Sequence, residues 1–368
     1  MIAGSKRRLQ WGTAGWRDDV PDGLPSRAGM TERLASKVAD LTGPGITDRF
    51  GIGGTDLGTT TTAPQGHLVS VFGDTFRRAG VGGPGWRAPV VLFAAPASVP
   101  TGLRWTGSAG RGTYARQVVR YIHHGWRRQG WRLRRVTTIL PTDVLTIGDD
   151  MYLHVMVCRE LGNVRWTELH RSRDGGRTWR PTGTRWPADL HGGLFQMLTW
   201  ERGADGWVYA LTTGFQRKHG LLLHRVPETA LTDPAAWQTW GLDGDQWGWG
   251  NPPTVVLDGR FGELSLRRMP DDGCWLLSTF DDGRYRIDVR VLDGPTADLH
   301  VAPLATVLRG CGWDGEDHAR GHVAQLYGGY VLPGSTLREL HLVVSQWNTA
   351  TNWPYRAMQF RTDVSGLP

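Results

Sequence analysis

From residue 50 onward, apolar and polar positions alternate with a period of two, and β-branched and aromatic residues fill much of the apolar set. Residues 151–160 (MYLHVMVCRE), 262–269 (GELSLRRM) and 284–292 (RYRIDVRVL) show the pattern. Successive side chains of a strand point to opposite faces, so these runs predict strands. Asp174-Gly175-Gly176, Asp272-Gly273 and Asp282-Gly283 separate them and supply the positive φ that tight hairpins need. The expectation is a mostly antiparallel all-β protein. Two stretches carry a helical period instead. Residues 31–41 (TERLASKVADL) read as a helix with Thr31 as N-cap. A second helix, over about 114–128, would place Tyr114, Val118, Ile122 and Trp126 on one face.

Openings of a new sheet recur at Gly54 (GGTDLG), Leu140 (LPTDVL), Leu194 (LFQMLTW), Asn251 (NPPTVVL) and His322 (HVAQLYGGYV). Five units of strands and turns fit a five-bladed β-propeller with four-stranded blades. The predicted organisation is an N-terminal extension or attachment segment over residues 1–45 and a propeller domain over 46–368, with an Arg-rich insertion in the first blade. Ser172-Arg173-Asp174-Gly175-Gly176-Arg177-Thr178-Trp179 fits the S-x-D-x-G-x-T-W Asp box of sialidase-like propellers. Its aspartate can accept backbone N–H groups inside the turn and its tryptophan can pack beneath the hairpin, which is a structural role.

The chain has 368 residues and a formal net charge of +7. The charge is local. No Asp or Glu occurs between Asp74 and Asp143, while residues 75–142 hold twelve arginines; the remainder has 30 basic against 35 acidic side chains. No apolar run approaches the roughly 18–20 residues of a membrane-spanning helix. Arginines occupy the place where a secretory signal would need its apolar stretch, which leads to the expectation of a protein that stays inside or travels in an assembled particle. Cys158, Cys274 and Cys311 are odd in number and lack metal-ligand spacing, so neither a disulfide framework nor a metal site is expected. No cofactor is expected.

The chemistry concentrates in residues 53–58 (GGTDLG) and 71–76 (VFGDTF), joined through Pro64-Gln65-Gly66. A three-residue hairpin loop ending on Gly66 pairs residues whose numbers sum to 130, so Asp56 would face Asp74 across the ladder. Opposed like charges destabilise a sheet. Two crowded carboxyls do serve acid/base chemistry, because their repulsion leaves one protonated and one ionised. Glycosidases use such a pair, with carboxyl groups about 5–5.5 Å apart for retention and about 6.5–9.5 Å for inversion.

Together with residues 85–89 (GWRAP), 140–145 (LPTDVL), 152–168 (YLHVMVCRELGNVRWTE), 212–227 (TTGFQRKHGLLLHRVP), 325–335 (QLYGGYVLPGS) and 345–360 (SQWNTATNWPYRAMQF), these motifs make the chain, over about residues 40–362, resemble glycoside hydrolase family 183. The resemblance implies a five-bladed propeller and endo-D-arabinanase activity on the D-arabinan of mycobacterial arabinogalactan and lipoarabinomannan. It also implies that Asp56 and Asp74 are the catalytic pair. Asp143 could tune that pair from across the axis.

A furanose polymer calls for stacking aromatics with amide and guanidinium donors. The candidates at blade starts are Trp86, Arg87, Gln196, Trp249, Asn251, Gln325, Tyr327, Trp347, Asn348 and Trp353. The expected partner is cell-wall arabinan, with other phage tail proteins contacting the N-terminus or residues 75–142. The expected location is a phage tail acting on the host envelope, not a membrane. The alternative is a receptor-binding propeller without turnover. Nucleic acid ranks last, through the arginines interleaved with Trp105, Tyr114, Tyr121, Trp126 and Trp131.

Overall fold

The computed structural model describes residues 31–121, 136–159 and 162–367. Five antiparallel sheets form the blades of a β-propeller. Their innermost strands are Gly54–Thr62, Thr138–Ile147, Met197–Arg202, Phe261–Met269 and Leu326–Val331. Blade 1 continues outward through Leu68–Phe76, Val90–Ala94 and Trp105–Ser108, and blade 2 through Asp150–Cys158, Val164–Ser172 and Arg180–Pro187. Blade 3 has a fifth strand, Gln246–Trp249, beyond the four expected. Blade 4 adds two short parallel strands, Thr31–Glu32 and His322–Ala324, against Leu304–Cys311.

Blade 5 takes its outermost strand from the other end of the chain. Ser36–Asp40 pairs antiparallel with Tyr355–Thr362. This corrects the helix expected over 31–41. Its helical period is real, but pairing with a buried strand supplies backbone partners and apolar burial that an isolated helix of that length lacks. The boundary expected at residue 45 is corrected as well, since residues 31–40 are propeller. The helix expected over about 114–128 is absent in its described part: Tyr114–Ala115 pairs with Gly110–Arg111, and the Val118 N–H donates to Pro89 O. Residues 122–128 lie outside the described residues.

The Arg-rich segment is not simply an insertion, because residues 90–94 and 105–108 inside it are the outer half of blade 1. Blade 4 opens at Phe261, ten residues after Asn251, and blade 5 at Leu326, after residues 322–324 have joined blade 4.

Blades bury their strands on both faces by stacking on one another. Leu68–Phe76 is buried along its whole length. Val69, Val91, Ile139 and Val155 fill the space between blades 1 and 2, and Leu169, Leu198 and the fully buried Trp200 that between blades 2 and 3. The Asp box closes the blade 2 hairpin as its sequence predicts. Asp174 accepts from the Thr178 N–H at 2.9 Å and its Oγ1 at 2.7 Å, and Trp179 Nε1 donates to Gly176 O.

The five innermost strands run in one direction. Their first residues line a cavity at one end of the central axis, and their last residues line an opening at the other. Between the two, a polar knot fills the axis. Asp143 accepts from Arg267 Nη1 and Nη2, both at 2.9 Å, and from Thr59 and Thr199 hydroxyls.

Candidate active site

The blade 1 hairpin turns as predicted, with Gly66 at φ 86° and the Ala63 N–H donating to His67 O. The register is the sum-to-130 ladder at Thr55↔Thr75 and at Thr59↔Val71, but between them Leu57 pairs with Phe72. The direct facing expected for Asp56 and Asp74 is therefore corrected: a bulge sets Asp56 opposite both residues 73 and 74, and a second bulge at residue 58 restores the ladder. Bulges re-aim side chains next to functional sites. Leu57 takes φ 62°, a left-handed conformation costing of order 1–3 kcal/mol in a non-glycine residue. Its N–H is held by Ser345 Oγ at 2.8 Å.

Glycine at 73 makes room for the carboxylate. A Cβ there would stand 2.5 Å from Asp56 Oδ1 and 2.9 Å from Leu57 Cδ1. Both aspartates line the axial cavity, whose volume is about 390 Å³. Leu140, Met156, Met197 and Phe215 form an apolar wall from blades 2 and 3. Arg217, Arg260, Glu263 and Asp282 form a polar wall on the side of blade 4, and Tyr327, Trp347 and Tyr355 reach in from blade 5.

The two carboxyls sit in unlike surroundings. Asp74 Oδ1 accepts from Thr138 Oγ1 at 2.5 Å and from Trp86 Nε1 at 2.8 Å, and Tyr355 OH donates to the Asp74 carbonyl. Burial pushes the Asp74 carboxyl above its ordinary value, and the Thr138 and Trp86 bonds pull it back down. Asp56 Oδ2 accepts from Tyr327 OH at 2.8 Å. Burial in the cavity, followed by the neighbouring Asp74 charge, pushes Asp56 up to about 8. The arrangement favours a proton on Asp56 at neutral pH, and the Thr138 and Trp86 bonds, which Asp56 lacks, offset part of the cost of charge on Asp74. An acid and a base of this kind can protonate a leaving oxygen and activate an attacking group.

The sequence matches, over residues 42–361, the family described as Domain of unknown function (DUF4185). The chain belongs to this family. It is 30% identical over 331 residues to an uncharacterized 35.9 kDa protein of Mycolicibacterium smegmatis, covering 85% of this chain and 93% of that one. Among solved structures, a protein from Bacteroides ovatus assigned as a hydrolase superposes with a TM-score of 0.60 at 13% identity, covering 92% of this chain and 93% of that one. The catalytic domain of a GH62 α-L-arabinofuranosidase from Coprinopsis cinerea does so with a TM-score of 0.51 at 10% identity, covering 92% and 99%. At these identities the likeness is one of fold.

Within this DUF4185 chain, four of the residues singled out from the sequence meet at the pair: Asp56, Asp74, Tyr327 and Trp86. Trp86 serves as a donor to Asp74, and Trp347 lines the cavity beside Tyr355. Others lie elsewhere. Asp143 is the fully buried axial ion-pair partner of Arg267 and is not on the cavity wall. Arg87 is buried, donates to the carbonyls of Gly51, Gly85 and Ala115, and stacks on Tyr114. Gln196 bonds Ala188 O and the Phe215 N–H, and Gln325 bonds Thr349, so each side chain fastens a loop. Asn348 Oδ1 caps the turn at Ala350 and Thr351, and Asn251 ties the blade 3 hairpin through Gly241 O and Gln246 O. Trp249 packs against Tyr209 and Trp240 in the outer strands of blade 3. Trp353 lies partly exposed against Gly43.

Sequence reasoning missed Glu263, Arg217, Asp282, Tyr355 and Thr138. Glu263 sits in an ordinary alternating strand, and Thr138 gains its role only when blade 2 is set beside blade 1. Arg217 carries one visible signal, its place in the polar QRKH loop between two strands. Among the described residues no group of three or more His, Cys, Asp or Glu side chains is placed to hold a metal ion.

Proposed function

We propose that the protein is a glycoside hydrolase of the endo-D-arabinanase type of glycoside hydrolase family 183, acting on the D-arabinan of mycobacterial-type arabinogalactan or lipoarabinomannan. The observation that carries the reading is the aspartate pair in unlike surroundings at the head of a cavity with one apolar and one polar wall. Asp56 donates its proton to the departing glycosidic oxygen, and Asp74 acts as base or nucleophile. The apolar wall suits the C–H face of a neutral sugar, and the polar wall its hydroxyls. The motif resemblance, the mycobacterial relative and the fold shared with an arabinofuranosidase support the substrate class. The place we propose for the protein is a phage tail, which mass spectrometry of purified virions tests.

Incubation with purified arabinogalactan separates cleavage from binding. The reading predicts soluble oligoarabinosides of several lengths. A protein that sediments with the polymer and releases nothing would be a carbohydrate binder, and the hydrolase reading would be wrong.

A further inference from the structure

The polar wall contains an unfinished ion pair. Glu263 is buried at 4% exposure, and its Oε1 accepts from Arg217 Nη2 at 2.7 Å. Its Oε2 is buried and has no hydrogen-bond partner. Asp56 Oδ1, on the same cavity, is likewise buried without a partner, whereas carboxylates fully buried away from the cavity, such as Asp143 and Asp288, are completed. Asp143 has donors on both oxygens, and Asp288 takes Arg286 on one oxygen and Thr306 on the other. Leaving a buried acceptor unsatisfied costs about 1–3 kcal/mol, and more for a charged group, so a carboxylate kept only for structure would be expected to close its second oxygen too.

Arg217 is equally specialised. It adopts φ 56°, and its Cζ lies 5.0 Å from the Phe280 ring centroid and 5.3 Å from that of Tyr327. Tyr327 in turn donates to Asp56. The pair is thus fixed one side chain away from the acid, on a cavity wall that also holds Arg260 and Lys218. An ionised carboxylate oxygen only accepts, so its missing partner is a donor. With two further cationic side chains lining the cavity, a neutral hydroxyl suits the position better than an ammonium group.

We propose that Glu263 and Arg217 form the hydroxyl-recognition subsite of the cavity, in which Glu263 Oε2 accepts a hydrogen bond from a ring hydroxyl of the sugar bound next to Asp56 and Arg217 holds the carboxylate in place. The inference rests on the hydrolase reading and gives it a specificity residue. Glu263 is also one of the charges that keep the Asp56 carboxyl protonated.

The test is a cycle between enzyme and substrate. A chromogenic tri-α-D-arabinofuranoside and its analogues deoxygenated at position 2 or position 3 of the reacting ring are assayed with the wild-type protein and Glu263→Gln. One deoxygenation should cost the wild type about 10- to 100-fold in kcat/KM, the range for a hydrogen bond to a charged group, and under about 3-fold in the variant. The alkaline limb of the variant's pH profile should also move to lower pH. Arg217→Lys, which keeps the charge and loses the guanidinium fork, gives a second arm should Glu263→Gln fail to fold, and it should blunt the same deoxygenation cost. Equal deoxygenation costs in wild type and a folded variant would overturn the subsite and leave the hydrolase reading standing. A wild type that cleaves no arabinoside would overturn both.

Discussion

At Gly73 a single hydrogen atom decides where a carboxylate can stand. Because a Cβ would meet Asp56 Oδ1 at 2.5 Å and Leu57 Cδ1 at 2.9 Å, Gly73→Ala should displace Asp56 and lower turnover by at least about tenfold, as small misplacements of catalytic groups do. Steady-state kinetics on arabinan, with a circular-dichroism check of folding, measures it. Asp56 carries a second consequence. Its folded value of about 8 lies above the ordinary 3.8, so it favours folding when protonated, and that contribution is lost as pH rises toward 8. Asp56→Asn keeps an acceptor for Tyr327 without the charge. It should therefore melt at a higher temperature than wild type at pH 8, with the gap closing toward pH 4. The hairpin that brings Asp56 and Asp74 together was legible because Pro64-Gln65-Gly66 fixes a local register, but the bulge that removes their direct facing was not. Glu263 and Arg217 were not, because their meaning comes from a strand and a loop more than 150 residues from Asp56 in sequence.

Among the elements, local period and tertiary pairing disagree most at residues 31–41. The segment reads as a helix on its own, yet Ser36–Asp40 is the strand that completes blade 5, and nothing local to it reveals the partner 320 residues away. Ring closure of this kind joins Ser36–Asp40 and Tyr355–Thr362 in one sheet. Deleting residues 1–40 should strip the edge of Tyr355–Thr362 and lower the midpoint of urea unfolding, whereas an unchanged midpoint would show the strand to be dispensable. The LPTDVL strand offers the opposite lesson. Its aspartate looks chemical in sequence, but the fold places it in the axial knot with Arg267, Thr59 and Thr199. Breaking one side of a buried ion pair costs about 3–5 kcal/mol, so Asp143→Asn should lose stability on that scale in denaturant titration while leaving the pH profile of turnover unmoved.

For the whole molecule, the five sheet openings and the Asp box were enough to predict a five-bladed ring. Two of the predicted blade starts were displaced, since Asn251 lies in a loop before Phe261–Met269 and His322–Ala324 is a short strand that joins blade 4. The net charge of +7 resolves into exposed arginines on and after blade 1, among them Arg77, Arg78, Arg104, Arg111 and Arg116, while the axial cavity draws on both signs. On the proposed hydrolase reading, the raised carboxyls together should give turnover a bell-shaped pH dependence. Its acid limb should lie above the usual aspartate range because Asp74 must be ionised, and its alkaline limb near 8 because Asp56 must be protonated. The most direct test of the central claim is digestion of purified arabinogalactan by wild type, Asp56→Asn and Asp74→Asn, with released oligoarabinosides quantified by chromatography. The account predicts release by wild type and a loss of at least about 100-fold in each folded variant, in line with the contribution of a general acid or base. Undiminished release by either variant would contradict it.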